Sequence, residues 1–415
     1  METSNARRGW AFDMKIPEAA GGSVSDTVEA PRVAVLTFHF HYNYGGVLQA
    51  YGLQHALRSI GYEAVFPRTV PEYCRGWIDR LGVLGVRRKG VARGVADCWR
   101  EFPRRRAFDR FRQLHFPAAI TGPAWKEVIS DSRTIACVAG SDQVWNLAWM
   151  RRWEPYYFLG DLPVDSTIRR VAYGACFGVA SQRPDYLRLA TPLLSRFSVI
   201  GTRTRTTARI VENVTGRRTT PVVDPSLLHD YRELRGGSPF DSGFIMFYGI
   251  RPEAIDRGRE LALAVKRRTG LPVALVVPES FALESWPAVG WADRIVERAS
   301  PADWVESIRR CSFLVTDSFH GCLFATANRR PFLSYAQGRA AERTVDFAER
   351  YGLGRRVLPE GSAAAAVERM EEPVDFDAVH SRVQADREAS LRFLAAAIVG
   401  RDPSADFDTG AVRIL

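Results

Sequence analysis

Reactive side chains in this chain gather just beyond short apolar runs. Asp317-Ser318-Phe319-His320-Gly321 follows the run Phe313–Thr316 and precedes the helix-like stretch 322–327. This spacing puts Ser318 and His320 at a strand-to-helix turn, beside backbone N–H groups that favour an anion. A lone histidine is also common as a satisfied structural group, so context alone leaves both roles open for His320. Similar turns hold Asn43, Gly45 and Gly46 after residues 33–37, Ser141, Asp142 and Gln143 after residues 135–139, and Arg203 after residues 197–200. His39-Phe40-His41 offers two imidazoles on one face of an extended segment, a geometry that metal binding allows. The chain has only seven histidines, and His55, His115, His229 and His380 fall in no ligand-like grouping, so no metal site is expected. Asp375-Phe376-Asp377 mimics a carboxylate pair but sits late in a polar segment and reads as incidental.

Positioning these turns calls for repeated strand–helix units. Val33-Ala34-Val35-Leu36-Thr37 has the composition of a buried parallel strand. After it, Val47, Ala50, Leu53, Leu57 and Ile60 recur at helical spacing, Gly61 stops the helix, and residues 63–66 return as a strand. Further strands are expected at 135–139, 171–173, 197–200, 244–248, 273–277 and 313–316, with helices at 253–268 and 379–398. The apolar period lapses between Tyr231 and Pro239, which marks a linker. The expected organisation is a tail over residues 1–30, an N-terminal α/β domain over 31–230 with a basic insertion at 75–112, a C-terminal α/β domain over 240–360, and a helix and tail over 361–415. The fold class is α/β, two Rossmann-like domains facing a central cleft.

Composition narrows the setting. No apolar run approaches the roughly 20 residues of a spanning helix, and the N-terminal arginines precede no apolar leader core, so a cytoplasmic protein is expected. The six cysteines are scattered without a Cys-x-x-Cys and read as reduced and mostly buried. A net charge of +10, nearly all of it arginine because only four lysines occur, favours anionic partners. The insertion, with Arg87-Arg88-Lys89 and Arg104-Arg105-Arg106, reads as a solvated helical face, or else as a basic surface touching an anionic membrane. No nucleic-acid motif accompanies it, so nucleic acid is not expected as a partner.

Three widely separated segments resemble the polysaccharide pyruvyl transferase family: Asn43-Tyr44-Gly45-Gly46-Val47-Leu48-Gln49-Ala50-Tyr51, Gly140-Ser141-Asp142-Gln143-Val144-Trp145-Asn146, and Val315-Thr316-Asp317-Ser318-Phe319-His320-Gly321. Weaker echoes are Tyr173-Gly174-Ala175, Val223-Asp224-Pro225-Ser226-Leu227-Leu228 and residues 343–353. The resemblance implies a glycosyltransferase-B-like pair of domains, phosphoenolpyruvate as donor substrate with no cofactor, and a pyruvate ketal on a sugar or lipid-linked saccharide as product. It casts His320 as general acid and Arg203 as a contact to the donor's carboxylate or phosphate. Family relatives often carry arginine where this chain has Ser318, and an acid follows their arginine where this chain has Thr204. Asn43, Gly45 and Gly46 then form either a turn through which backbone approaches substrate or a turn needed for packing. Asp142 and Gln143 either orient acceptor hydroxyls or, for Asp142, cap a following helix. Asp224-Pro225 reads as a turn, and Asp317 as another turn residue that could position His320. The competing function is a sugar-nucleotide-dependent glycosyltransferase of the same shape, since fold alone does not fix chemistry.

Overall fold

The computed structural model describes residues 29–68, 91–117, 122–146, 155–178, 184–251, 254–278, 290–338, 341–358 and 363–401. Most of the expected N-terminal tail, the first part of the basic insertion and the chain beyond residue 401 lie outside these residues.

Strands β1 (Arg32–Leu36), β2 (Glu63–Val65), β3 (Thr134–Ala139), β4 (Arg169–Tyr173), β5 (Val199–Thr202) and β6 (Thr220–Pro221) form a parallel sheet in the order β2-β1-β3-β4-β5-β6. Strands β7 (Ile245–Tyr248), β8 (Val273–Val276), β9 (Arg294–Val296), β10 (Phe313–Thr316) and β11 (Phe332–Ser334) form a second one, ordered β11-β10-β7-β8-β9. The unbroken apolar runs of β1, β7, β8 and β10 are buried along their length, as strands covered by helices on both faces must be. One strand sits later than expected. β5 starts at Val199 and takes in Gly201 and Thr202, so Arg203 follows it directly. The short strands β6, β9 and β11 carry little periodic signal of their own.

The two domains share one core cluster that runs from Val33 and Val47 through Trp304 to Phe393 and Leu394. Helix Tyr44–Ser59 bridges them near its start: Tyr44 stacks on Trp304 with ring centroids 5.5 Å apart, and its hydroxyl donates to the carbonyl of Ala299 at 3.0 Å. The last helix, Phe376–Val399, returns to the first sheet. Arg169 Nε donates to the Ala397 carbonyl at 2.9 Å, Ser390 Oγ accepts from Val223 N at 3.0 Å, and Phe393 fills the space a side chain on Gly201 would take. Asp375 is its N-cap, and Asp377 pairs with Arg329 at 2.7 Å, so those two acids serve the helix start.

The basic run is only partly a surface. Within helix Val91–His115, Arg104 is buried, and Arg112 bonds Asp109 at 2.6 Å and the Phe40 carbonyl while lying 4.6 Å over the Tyr42 ring. Arg112 thus packs against the loop after β1. Among the described residues no helix is long and apolar enough to cross a membrane. Cys137, Cys176, Cys311 and Cys322 are free and buried, as expected.

Candidate active site

Each sheet reverses direction once. In the first the chain moves from β1 outward to β2 and then to β3 on the other side of β1; in the second the corresponding pair is β7 and β10. Crevices open at such switch points, beyond the carboxyl ends of the strands. Asn43 and residues 140–143 follow β1 and β3, and residues 317–320 follow β10, so the three motif segments all lie at switch points.

Asn43 caps helix Tyr44–Ser59, its Oδ1 accepting from Gly46 N at 2.7 Å. Residues 44–46 are therefore helix, not the open turn expected from the sequence. Gly45 makes a different close approach: a Cβ there would lie 2.8 Å from the Cβ of His320, and nearer still to its Cγ and Nδ1. A Cβ on Gly46 would meet nothing closer than 3.4 Å. Gln49, one helical turn on, donates to Thr37 Oγ1 at 2.7 Å and Thr37 donates to the Ser141 carbonyl at 3.0 Å, a buried chain that ties the helix to the ends of β1 and β3.

Ser318 and His320 open helix Phe319–Ala327. Ser318 Oγ accepts from Gly321 N at 3.2 Å, so its hydroxyl caps the helix and does not replace the absent arginine. His320 is buried, with Nε2 3.7 Å from Asp224 Oδ2. That gap is too long for a hydrogen bond but short for a charge interaction, and Nε2 has no hydrogen-bond partner. Asp317 turns the other way: its Oδ1 accepts from Ile250 N at 2.7 Å, and Oδ2 is buried without a partner. Burial pushes its carboxyl up to about 6, against the pull of the Ile250 N–H and the Arg251 charge.

Arg203 is the centre of the cluster. One of its terminal nitrogens donates to Asp142 Oδ1 at 2.6 Å, the other to Asp224 Oδ2, and its side chain is only 1% exposed. Its guanidinium is thus held by two carboxylates. Arg343, from the second domain, reaches the same Asp142 oxygen at 3.2 Å and, with the amide of Gln143 turned so that its oxygen faces the guanidinium, bonds Gln143 at 2.7 Å. The Phe319 ring lies 5.1 Å from the Arg203 guanidinium and 5.2 Å from that of Arg343. Asp142 has a positive φ of 74° and caps no helix among the described residues; its carboxylate joins the domains. Ser141 Oγ donates to the Gly174 carbonyl at 3.0 Å and lies 3.5 Å from Asp224. Burial by itself would raise the Asp142 and Asp224 carboxyls; the Arg203 charge, together with His320, overcomes it and holds both below the usual carboxylate range.

Asp224 and Arg343 belong to the site although the sequence assigns neither a binding role, each falling only in a weak family echo. Asp224-Pro225 has the composition of a turn and does form one, with Oδ1 accepting from Ser226 N at 2.9 Å, while its other oxygen faces Arg203. The weak family echo around Val223 was the only signal for it. Arg251, just after β7, has no ion-pair partner among the described residues, and its charge acts on both Asp317 and Arg343. His39 is buried and His41 half-buried, and loss of solvent pushes them down to about 3 and about 4. His39 packs against Phe66 and His41 against Phe38, and neither joins a group of three possible metal ligands among the described residues.

The family model for polysaccharide pyruvyl transferase matches residues 43–338, a span that begins at the Asn43 cap and ends beyond His320. This chain belongs to the polysaccharide pyruvyl transferase family. The family is one of transferases. No curated protein matches the chain. Among solved structures, a UDP-N-acetylglucosamine 2-epimerase from Rickettsia bellii is 12% identical with a TM-score of 0.50, covering 92% of this chain and 100% of that one. The UDP-GlcNAc 2-epimerase from Neisseria meningitidis bound to UDP-GlcNAc is 10% identical, TM-score 0.50, covering 89% and 99%. The spinosyn rhamnosyltransferase SpnG is 14% identical, TM-score 0.40, covering 90% and 98%. At these identities the likeness concerns the fold, two parallel-sheet α/β domains.

Proposed function

We propose that this protein transfers the enolpyruvyl carbons of phosphoenolpyruvate to hydroxyls of a sugar or saccharide precursor, forming a pyruvate ketal and releasing phosphate. The observation that carries the reading is the meeting of His320 with the Asp224–Arg203–Asp142–Arg343 cluster across the domain junction, with His320 and Asp142 supplied by two of the family's motif segments.

The chemistry requires a proton on the donor's methylene carbon, an attack at its central carbon and neutralisation of a carboxylate and a phosphate. His320 is the proton donor in this reading, its Nε2 lying 3.7 Å from the Asp224 carboxylate. As the methylene takes that proton, a sugar hydroxyl adds to the central carbon; the carbon–oxygen bond to phosphate then breaks and a second hydroxyl closes the ketal. The acceptor gives up two protons, of which one ends on the new methyl group and the other on phosphate, so His320 is restored. The donor's anionic groups would lie against Arg251, Arg343 and the N–H groups that open helix Phe319–Ala327, with Arg203 as the fixed charge that keeps Asp142 and Asp224 ionised. Neither step calls for a metal.

Calorimetric titration of the protein with phosphoenolpyruvate, with UDP-GlcNAc in parallel, tests this. Saturable phosphoenolpyruvate binding that weakens at least about tenfold in Arg251→Ala, as expected for loss of a charge-assisted contact, supports the reading. Binding of the nucleotide sugar alone would instead favour the glycosyltransferase that shares the fold.

A further inference from the structure

Far from this cluster, the fold collects histidines that the sequence scatters. His55 lies in helix Tyr44–Ser59, whereas His229 and Glu233 stand four residues apart in the segment leading to β7. The rings of His55 and His229 stack with centroids 4.3 Å apart, and His229 Nε2 is 2.7 Å from Glu233 Oε1. One ligand atom from each of the three residues lies within 4.8 Å of the others.

We infer that His55, His229 and Glu233 form a binding site for a divalent cation of the zinc type. Two imidazoles and one carboxylate are a ligand set that suits zinc, with a fourth position left for water. Bonds of about 2 Å in tetrahedral geometry place ligand atoms roughly 3.3 Å apart, so small side-chain rotations that open the 2.7 Å His229–Glu233 spacing and close the wider ones, none above 4.8 Å, reach that arrangement. The His229 and Glu233 side chains, 17% and 43% exposed, are free to make them and leave the ion a path from solvent. Tyr51 donates its hydroxyl to Glu233 Oε1, the outer contact that orients a ligating carboxylate. His115 faces the group across Tyr51, with ring centroids 5.0 Å apart, while the Arg58 charge opposes the ion.

The position indicates a bracing role. Ten residues of helix, roughly 15 Å, separate His55 from Gly45, too far for the ion to touch the reacting groups. What it would join is the segment entering the second domain and the helix whose first turn packs on His320. In the sequence His55 and His229 fall in no ligand-like grouping and no metal site is expected, because the members come together only through the folding of helix Tyr44–Ser59 against the linker.

The test is titration of the chelator-treated full-length protein with zinc chloride, with magnesium chloride as control. Stoichiometric zinc binding, at least about tenfold weaker in His229→Gln and in His55→Gln but unchanged in His380→Gln, is the expected result. Absence of zinc binding, or binding of undiminished affinity in the His55→Gln/His229→Gln double variant, overturns the inference. Bound zinc should also raise the thermal midpoint of the parent protein and not that of the double variant. Phosphoenolpyruvate titration of the same variants keeps this site separate from the proposed function, since its outcome does not depend on either histidine.

Discussion

Gly45→Ala is the substitution that tests the geometry of the site most directly. Alanine is the better helix former by about 1 kcal/mol, so local propensity predicts a gain in stability. The added Cβ, however, would enter within 2.8 Å of the His320 side chain. Ordinary carbon contacts begin near 3.5 Å, and the imidazole must therefore retreat by about 1 Å or more. Overpacking of this kind costs about 1 to 3 kcal/mol, which matches or exceeds the helix gain and lowers the thermal midpoint by no more than a few degrees. Catalysis is less tolerant: misplacement of a reacting group by about 1 Å costs on the order of a hundredfold in rate. The assay is phosphate release from phosphoenolpyruvate in the presence of a sugar acceptor, run beside thermal unfolding and donor titration. Gly46→Ala is the control, because its Cβ would meet nothing closer than 3.4 Å, and it should keep most of the activity. Turnover by Gly45→Ala within about threefold of the parent would refute the argument that this glycine exists to seat His320.

Asp224→Asn removes one of the two carboxylates that hold Arg203 and should destabilise the protein by roughly 3 kcal/mol in urea unfolding, with Asp142 retaining part of the pairing. Unfolding at the parental midpoint would show that the pair contributes nothing. Asp317 titrates at 3.8 when exposed and at about 6 in the fold, so the native state keeps a proton that the unfolded chain gives up between those values. Its contribution to stability is complete below pH 3.8 and is lost as pH rises to about 6, a fall of roughly 3 kcal/mol at 1.36 kcal/mol per unit. Asp317→Asn should remove that slope from stability measured between those pH values, and a slope equal to the parent's would rule Asp317 out as its source.

The strands β1, β3, β7, β8 and β10 were legible because a strand buried on both faces has to be apolar along its whole length, a demand met residue by residue. The motif segments were legible for a related reason: each follows such a strand, where a parallel sheet leaves its ligand-facing loops. The roles of particular side chains were not. Ser318 and Asn43 have the residue types of anion or hydroxyl contacts, yet both cap helices, because an N-cap and a binding group ask for the same short polar side chain. Arg203 and Asp142 were both found, but they lie 61 residues apart and Asp224 lies 21 residues from Arg203, so nothing local shows that they pair. Asp224 reads as a turn because it is one, and only burial opposite Arg203 gives its second oxygen another task.

By itself, then, the sequence determined the two α/β domains, the family and the loops where chemistry gathers, since hydrophobic runs and motif segments are local properties of the chain. The tertiary structure decided which charges neutralise each other, why Gly45 has no side chain and how His55 meets His229. Those are contacts between residues distant in the chain, and a pairing energy depends on separation and burial in space, neither of which is written at any single position.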